Sequence, residues 1–183
     1  MEERTEIRLS GSGGQGLILA GIILAEAAIL DGKNAVQSQS YGPEARGGAS
    51  RAEVIISESS IDYPKVTKPD ILLALTEEAL MKYKDNLKPN GVIIIDSSIK
   101  KPELPVKIIS LPIIETAQKK AGRVIVANIV ALGVLTTATK IVSKVSVEKA
   151  VMDRVPKGTE ELNKKALYAG FELGESFYTF YNY

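Results

Sequence analysis

Apolar and polar positions alternate along this chain in short strand-like runs that take turns with longer helix-like ones. Residues 6–10 form a first strand that ends on Gly11-Ser12-Gly13-Gly14-Gln15-Gly16, after which Leu17, Ala20, Leu24, Ala27 and Ala28 recur at helical spacing. Asp31-Gly32 closes that helix. Residues 35–39 give a short second strand, and residues 40–50, dense in Gly, Pro and charge, break the βαβ rhythm as a loop. Along 51–57, outward Arg51 and Glu53 alternate with inward Ala52, Val54 and Ile56. Glu58-Ser59-Ser60 then reads as a turn, so a hairpin with Ile61-Asp62-Tyr63 is expected.

The continuous apolar run 71–75 suits a central parallel strand covered on both faces. Thr76 is placed to cap a helix through Leu80, Tyr83 and Leu87, and Pro89-Asn90-Gly91 turns the chain into a strand over 92–95. A further strand covers 106–111. The remainder reads as helices over 113–121 and 128–140, a segment started by Ser146 and stopped near Pro156, and a long helix over 160–177. These elements predict one domain, residues 1–183, of α/β class: a three-layer, Rossmann-like fold with a mixed, mostly parallel sheet and helices on both faces. A chain of 183 residues can bury one sizeable core.

Composition narrows the chemistry. Lys and Arg number 23 against 22 Asp and Glu, for a net charge of +1, so no basic surface for nucleic acid is implied. Neither Cys nor His occurs, which excludes thiol catalysis, imidazole acid–base chemistry and cysteine-held iron–sulfur clusters. The apolar stretches 17–30 and 124–135 contain Glu26 and Asn128 and fall short of the ~20 residues of a membrane span, so buried helices are expected. Glu2 and Glu3 stand where a secretory signal carries positive charge. The expected compartment is the cytoplasm.

A strand that runs into Gly11, Gly13 and Gly16 and then a helix is the setting in which a glycine loop attracts an anion. Glycine permits close backbone approach, and the helix start presents free N–H groups. A purely structural strand–helix turn is the competing reading. An NAD site would add an acidic residue at the end of the second strand, but residues 36–40 read Val-Gln-Ser-Gln-Ser, with Asp31 earlier and Arg46 later. A stand-alone NAD(P)-binding Rossmann-type protein is therefore the alternative. Tyr41-Gly42-Pro43-Glu44-Ala45-Arg46-Gly47-Gly48 offers a phenol, a carboxylate and a guanidinium on a loop expected at the same sheet edge. Arg46 can fork onto a phosphate or carboxylate, or pair with Glu44 or Glu53 to order the loop. Asp96, at the end of the 92–95 strand, either contacts a ligand or caps the next turn.

The glycine loop with its Ala-rich helix, the run from Ser40 to Gly48, Ile61-Asp62-Tyr63-Pro64 and Pro69-Asp70 together resemble the gamma subunit of 2-oxoacid:ferredoxin (acceptor) oxidoreductases. The wording of the second loop is more similar to the 2-oxoglutarate and branched-chain types than to the pyruvate type. This resemblance implies a complex that oxidatively decarboxylates a 2-oxoacid on thiamine diphosphate and magnesium. Electrons would pass through iron–sulfur clusters to ferredoxin, and the acyl group to coenzyme A. Those cofactors would sit in alpha and beta subunits, with or without a delta subunit, and none would be held by this chain alone. The residues expected to contribute to coenzyme A binding are Gly11, Ser12, Gly13, Gly14, Gln15 and Gly16 on the first loop, with Tyr41, Glu44, Arg46 and Gly47 on the second. Seven of the ten aromatic residues lie in the last sixteen positions, so partner contact is expected for residues 177–183, with a tail folded back on its own sheet as the competing reading.

Overall fold

In the computed structural model, which describes residues 4–39 and 49–181 with side chains through Phe177, strand β1 (Arg4–Ser12) is bonded on both sides. It runs antiparallel to β3 (Ala49–Ser57), from Arg4↔Ser57 to Ser12↔Ala49, and parallel to β4 (Ile71–Ala74), from Ile7↔Ile71 to Ser10↔Ala74. Strand β2 (Asn34–Gln39) pairs antiparallel with the other side of β3. Strands β5 (Val92–Asp96) and β6 (Lys107–Leu111) extend the parallel half beyond β4. The order is β2-β3-β1-β4-β5-β6, and β3 runs against the other described strands. The sheet is therefore mixed and mostly parallel, as the alternation of elements predicts.

The partner of β3 differs from expectation. No strand forms over residues 61–63, and β3 inserts between β2 and β1 instead. Two ladders satisfy both edges of β3, whereas a hairpin with three residues would leave most of its backbone unpaired. The segment after β3 is held by side chains of β1. Arg4 Nη2 donates to the carbonyls of Tyr63 (2.9 Å) and Lys65 (3.4 Å), and Glu6 Oε2 accepts from Thr67 N (3.1 Å).

Period-two alternation splits the sheet into two faces. Ile7, Leu9, Val54, Ile71, Leu73 and Ile94 pack in one cluster with α1 (Leu17–Leu30), α4 (Ala127–Thr139), α5 (Lys144–Arg154) and α6 (Glu160–Tyr181). On the opposite face Leu72, Ala74, Ile93 and Ile95 meet Ala79, Leu80 and Tyr83 of the short α2 (Glu77–Tyr83), whose start is capped by Thr76 Oγ1 accepting from Ala79 N. Helices thus cover both faces unequally. The expected helix over 113–121 is α3 (Ile113–Thr116) followed by a π-helical turn that Gly122 ends at φ 76°.

Helix α4 is buried from Ala127 through Ala138 because α6 crosses it at backbone contact. Gly133 and Gly170 face each other there. A Cβ on Gly170 would stand 2.2 Å from the Val130 carbonyl oxygen and 3.0 Å from Gly133 Cα. Phe177 is buried in the same core, with Lys107 Nζ 5.6 Å from its ring centroid. This corrects the expectation of partner contact at that position, because the α6 stripe that carries Phe177 faces inward. Side chains beyond it lie outside the described residues.

Helix α5 begins at Lys144, earlier than Ser146 suggests, because Ser143 Oγ accepts from Ser146 N (3.1 Å) as its cap. Asp31, at the end of α1, reinforces that start. Its carboxylate accepts from Ser143 N (2.6 Å), Ser143 Oγ (2.7 Å) and Ser146 Oγ (2.5 Å).

Candidate functional site

The glycine turn lies at the carboxyl end of β1, the edge where ligands meet open α/β sheets. Its tip, Ser12, Gly13 and Gly14, is exposed, while Gly11 is buried. Gly14 (φ 87°) and Gly16 (φ 71°, ψ 22°) are left-handed, the conformation that only glycine adopts at little cost. Helix α1 starts without a side-chain cap, so its first N–H groups and the positive end of its dipole are directed at this edge.

Gln15 folds back over the turn. Its Oε1 accepts from Ser12 N at 2.8 Å, and a Cβ on Gly11 would lie 2.2 Å from that oxygen. The carboxamide oxygen thus takes an N–H donor that an anion's oxygen would otherwise use. The tip stays open, since nothing lies within 4 Å of a Cβ built on Gly14.

Asn128, at the start of α4, completes the turn from behind. Its Nδ2 donates to the Gly16 carbonyl at 3.0 Å, and a Cβ on Gly16 would approach that nitrogen to 2.5 Å. The sequence reading treats Asn128 only as an interruption of an apolar stretch. The available signal was that a polar side chain in an otherwise apolar buried helix needs a partner.

The second loop enters and leaves at the same edge. β2 ends at Gln39, and β3 begins at Ala49, whose ladder partner is Ser12, with Ser50 opposite Gly11. Tyr41, Glu44, Arg46 and Gly47 themselves lie outside the described residues. Of the two carboxylates considered as internal partners for Arg46, Glu53 is engaged by the buried Arg8. Arg8 Nε donates to Glu53 Oε1 at 2.8 Å, and Arg8 Nη2 lies 2.7 Å from the same oxygen. The Tyr83 ring stacks against the Arg8 guanidinium at 5.1 Å.

Asp96 is a structural cap. Oδ1 accepts from Ser98 N (2.9 Å) and Oδ2 from Ile114 N (2.8 Å), so both oxygens of this buried carboxylate are committed to backbone. Among the described residues no group of three or more His, Cys, Asp or Glu is placed to hold a metal ion. With no cysteine in the sequence, the donor set does not fit an iron–sulfur cluster. No described helix is long and apolar enough to cross a membrane.

Comparison with known proteins agrees with this architecture. Residues 6–173 match the family described as POR, pyruvate ferredoxin/flavodoxin oxidoreductase. A 2-oxoglutarate synthase subunit KorC from Methanocaldococcus jannaschii is 55% identical over 177 residues, covering 94% of this chain and 95% of that one. The crystal structure of a keto/oxoacid ferredoxin oxidoreductase gamma subunit from Geobacter sulfurreducens matches with a TM-score of 0.87 at 55% identity, over 95% of this chain and 98% of that one. A 2-oxoglutarate:ferredoxin oxidoreductase from Magnetococcus marinus, with 2-oxoglutarate, coenzyme A and succinyl-CoA bound, shares the fold. Its TM-score is 0.86 at 24% identity, over 96% of this chain and 32% of that one. The stand-alone NAD(P)-binding reading gains no support from these relatives. A glycine turn without the acidic strand end of a nicotinamide site, a chain without cluster ligands, and full-length likeness to gamma subunits agree: the chain belongs to the pyruvate ferredoxin/flavodoxin oxidoreductase family, as a gamma subunit of a 2-oxoacid:ferredoxin oxidoreductase.

Proposed function

We propose that the complex served by this chain takes 2-oxoglutarate, and that this subunit helps to hold the phosphate-bearing part of coenzyme A through the glycine turn and residues of the 40–48 segment. Partner alpha and beta subunits, with or without a delta, carry thiamine diphosphate, magnesium and the iron–sulfur clusters and pass electrons to ferredoxin in the cytoplasm. The substrate assignment is supported by the 55% identity to a 2-oxoglutarate synthase subunit over nearly the whole chain.

The observation that carries the coenzyme A reading is the pairing of Ser12 with Ala49. It anchors the return of the Arg46 loop beside a helix start that has no side-chain cap. Backbone N–H groups at Gly13, Gly14 and the first turn of α1 suit phosphate oxygens, and the Arg46 guanidinium adds a bidentate donor. Tyr41 supplies a ring or hydroxyl for the same ligand, Glu44 and Gly47 add further contacts to it, and Gln15 swings away from Ser12 N to release the deeper donor. Bound coenzyme A supplies the thiol that accepts the acyl group. This chain's residues bind and orient it.

The test is steady-state kinetics of the assembled complex carrying Arg46→Ala. Loss of one charge-assisted contact, about 1.5–3 kcal/mol, raises KM for coenzyme A roughly tenfold to a hundredfold while KM for the oxoacid is unchanged. An unaltered KM for coenzyme A overturns the reading, and weakened assembly alongside it assigns the loop to an interface.

A further inference from the structure

On the sheet face opposite α1, the helix layer stops short of the β2 edge. Helix α2 packs over β1, β3 and β4, while Val36 and Ser38 of β2 stay half-exposed on the side they share with Arg51 and Glu53. A groove of about 650 Å³ runs there, with Lys65 and Val66 forming its far wall. Both walls are fixed. Arg4 and Glu6 tie the 63–67 segment to β1 through three hydrogen bonds to its backbone, and the Tyr83 ring lies under both Arg8 and Arg51, 5.1 and 5.9 Å from their guanidinium carbons.

Among the described residues the charges lining this groove do not cancel. Arg8, only 3% exposed, takes the Glu53 carboxylate at 2.8 and 2.7 Å and makes a neutral pair with it. Arg51 reaches the same carboxylate only through Nε, at 3.9 Å, beyond hydrogen-bond range, and keeps 35% of its side chain exposed. Lys65 adds a second exposed cation. Two positive groups therefore face the groove above a carboxylate that is already neutralised. Beside them β2 is the last strand of the sheet among the described residues, and an extended segment can add along the outer side of such an edge strand.

The geometry points to a docking site on this face for an extended, acidic segment of a companion subunit, with carboxylates on Arg51 and Lys65 and main chain along β2. The occupant follows from charge complementarity and from the multi-subunit nature of the family. A pre-formed groove lowers the ordering cost on this chain's side. The inference rests on family membership and is independent of where coenzyme A binds.

The test uses the complex purified with its companion chains. A benzophenone amino acid in place of Ser38 is irradiated and the adduct sequenced by mass spectrometry; in parallel, Arg51→Glu/Lys65→Glu is assayed for subunit affinity across salt concentrations. The expected adduct is a companion-chain peptide rich in Asp and Glu. The charge reversal weakens association roughly tenfold or more at low salt, and the difference shrinks between ~50 and ~500 mM salt. Lys65→Glu alone, on an exposed side chain, serves if the double variant does not fold. An adduct with a second copy of this chain, an adduct with a segment lacking carboxylates, no adduct, or native affinity after charge reversal each overturns the proposal. The coenzyme A reading is tested separately by Arg46→Ala, so either can fail alone.

Discussion

Gly16→Ala tests the clamp behind the glycine turn, and its cost can be worked out from the geometry. At φ 71°, ψ 22° an L-side chain costs about 1–2 kcal/mol in backbone strain. The new Cβ would stand 2.5 Å from Asn128 Nδ2, so the carboxamide must swing out and lose its 3.0 Å bond to the Gly16 carbonyl. Asn128 is only 5% exposed, and a buried amide left without a partner adds about 1–3 kcal/mol. The single variant is expected to lose about 3 kcal/mol. Asn128→Ala removes the bond and the amide together, at about 1–2 kcal/mol. In that background the space is vacant, and Gly16→Ala costs only its backbone strain of about 1–2 kcal/mol. The double variant should therefore be more stable than the sum of its parts by about 1.5 kcal/mol, against the ~0.5 kcal/mol within which independent sites add. Urea denaturation of the four proteins, followed by far-UV circular dichroism with m values compared, measures this coupling. Additive losses would falsify the clamp and leave Asn128 a bystander of the turn.

Three further outcomes are expected. Gly170→Ala places a methyl 2.2 Å from the Val130 carbonyl oxygen, which forces α6 away from α4 and costs about 3 kcal/mol or more; an unchanged urea midpoint would contradict the backbone contact. The Tyr83 hydroxyl is buried with no hydrogen-bond partner among the described residues. Tyr83→Phe should therefore be neutral or stabilising by up to about 1 kcal/mol, while Tyr83→Ala loses about 3–5 kcal/mol; a large loss in the Phe variant would reveal a partner for the hydroxyl. For Asp31, burial pushes the carboxyl up, but hydrogen bonds from the Ser146 and Ser143 hydroxyls and the Ser143 amide, with the Lys33 charge, outweigh it and hold the group below its ordinary 3.8. A depressed folded value means the stabilisation is present above the unfolded-chain value and disappears as pH falls through the folded one. Asp31→Asn should flatten the stability profile below about pH 4, and an acid limb identical to that of the parent protein would rule this out.

Features encoded within a few residues were legible. The apolar run of β4, the turn at Gly11 to Gly16, the Thr76 cap and the Asp31-Gly32 helix end follow from local periodicity and backbone preference, and each stands within a residue or two of its expected place. Choices made between distant segments were not. Nothing in 51–57 says that its partners are β1 and β2 instead of the nearby 61–63, because several registers present the same alternation and only tertiary burial separates them. Asn128 and Gly16 are 112 positions apart, and their contact exists only once α4 has docked. Asp96 was ambiguous for a related reason: whether a strand-end acid meets ligand or backbone depends on where the next helix begins, here Ile114 N.

The insertion of β3 between β2 and β1 carries a consequence for the order of folding. β1 and β2 are joined through α1 yet are not neighbours, so a β1–α1–β2 unit formed early would leave a slot one strand wide between its two edges. The β2–β3 ladder links closer positions, from Gln39↔Ala52 to Asn34↔Ser57, than the β1–β3 ladder, which spans Arg4↔Ser57. Loop closure therefore favours the β2–β3 pair as a nucleus that later zips onto β1. The length of the connection between Gln39 and Ala49 thus bears on a kinetic step as well as on the proposed coenzyme A site, and lengthening it should slow refolding more than it lowers equilibrium stability.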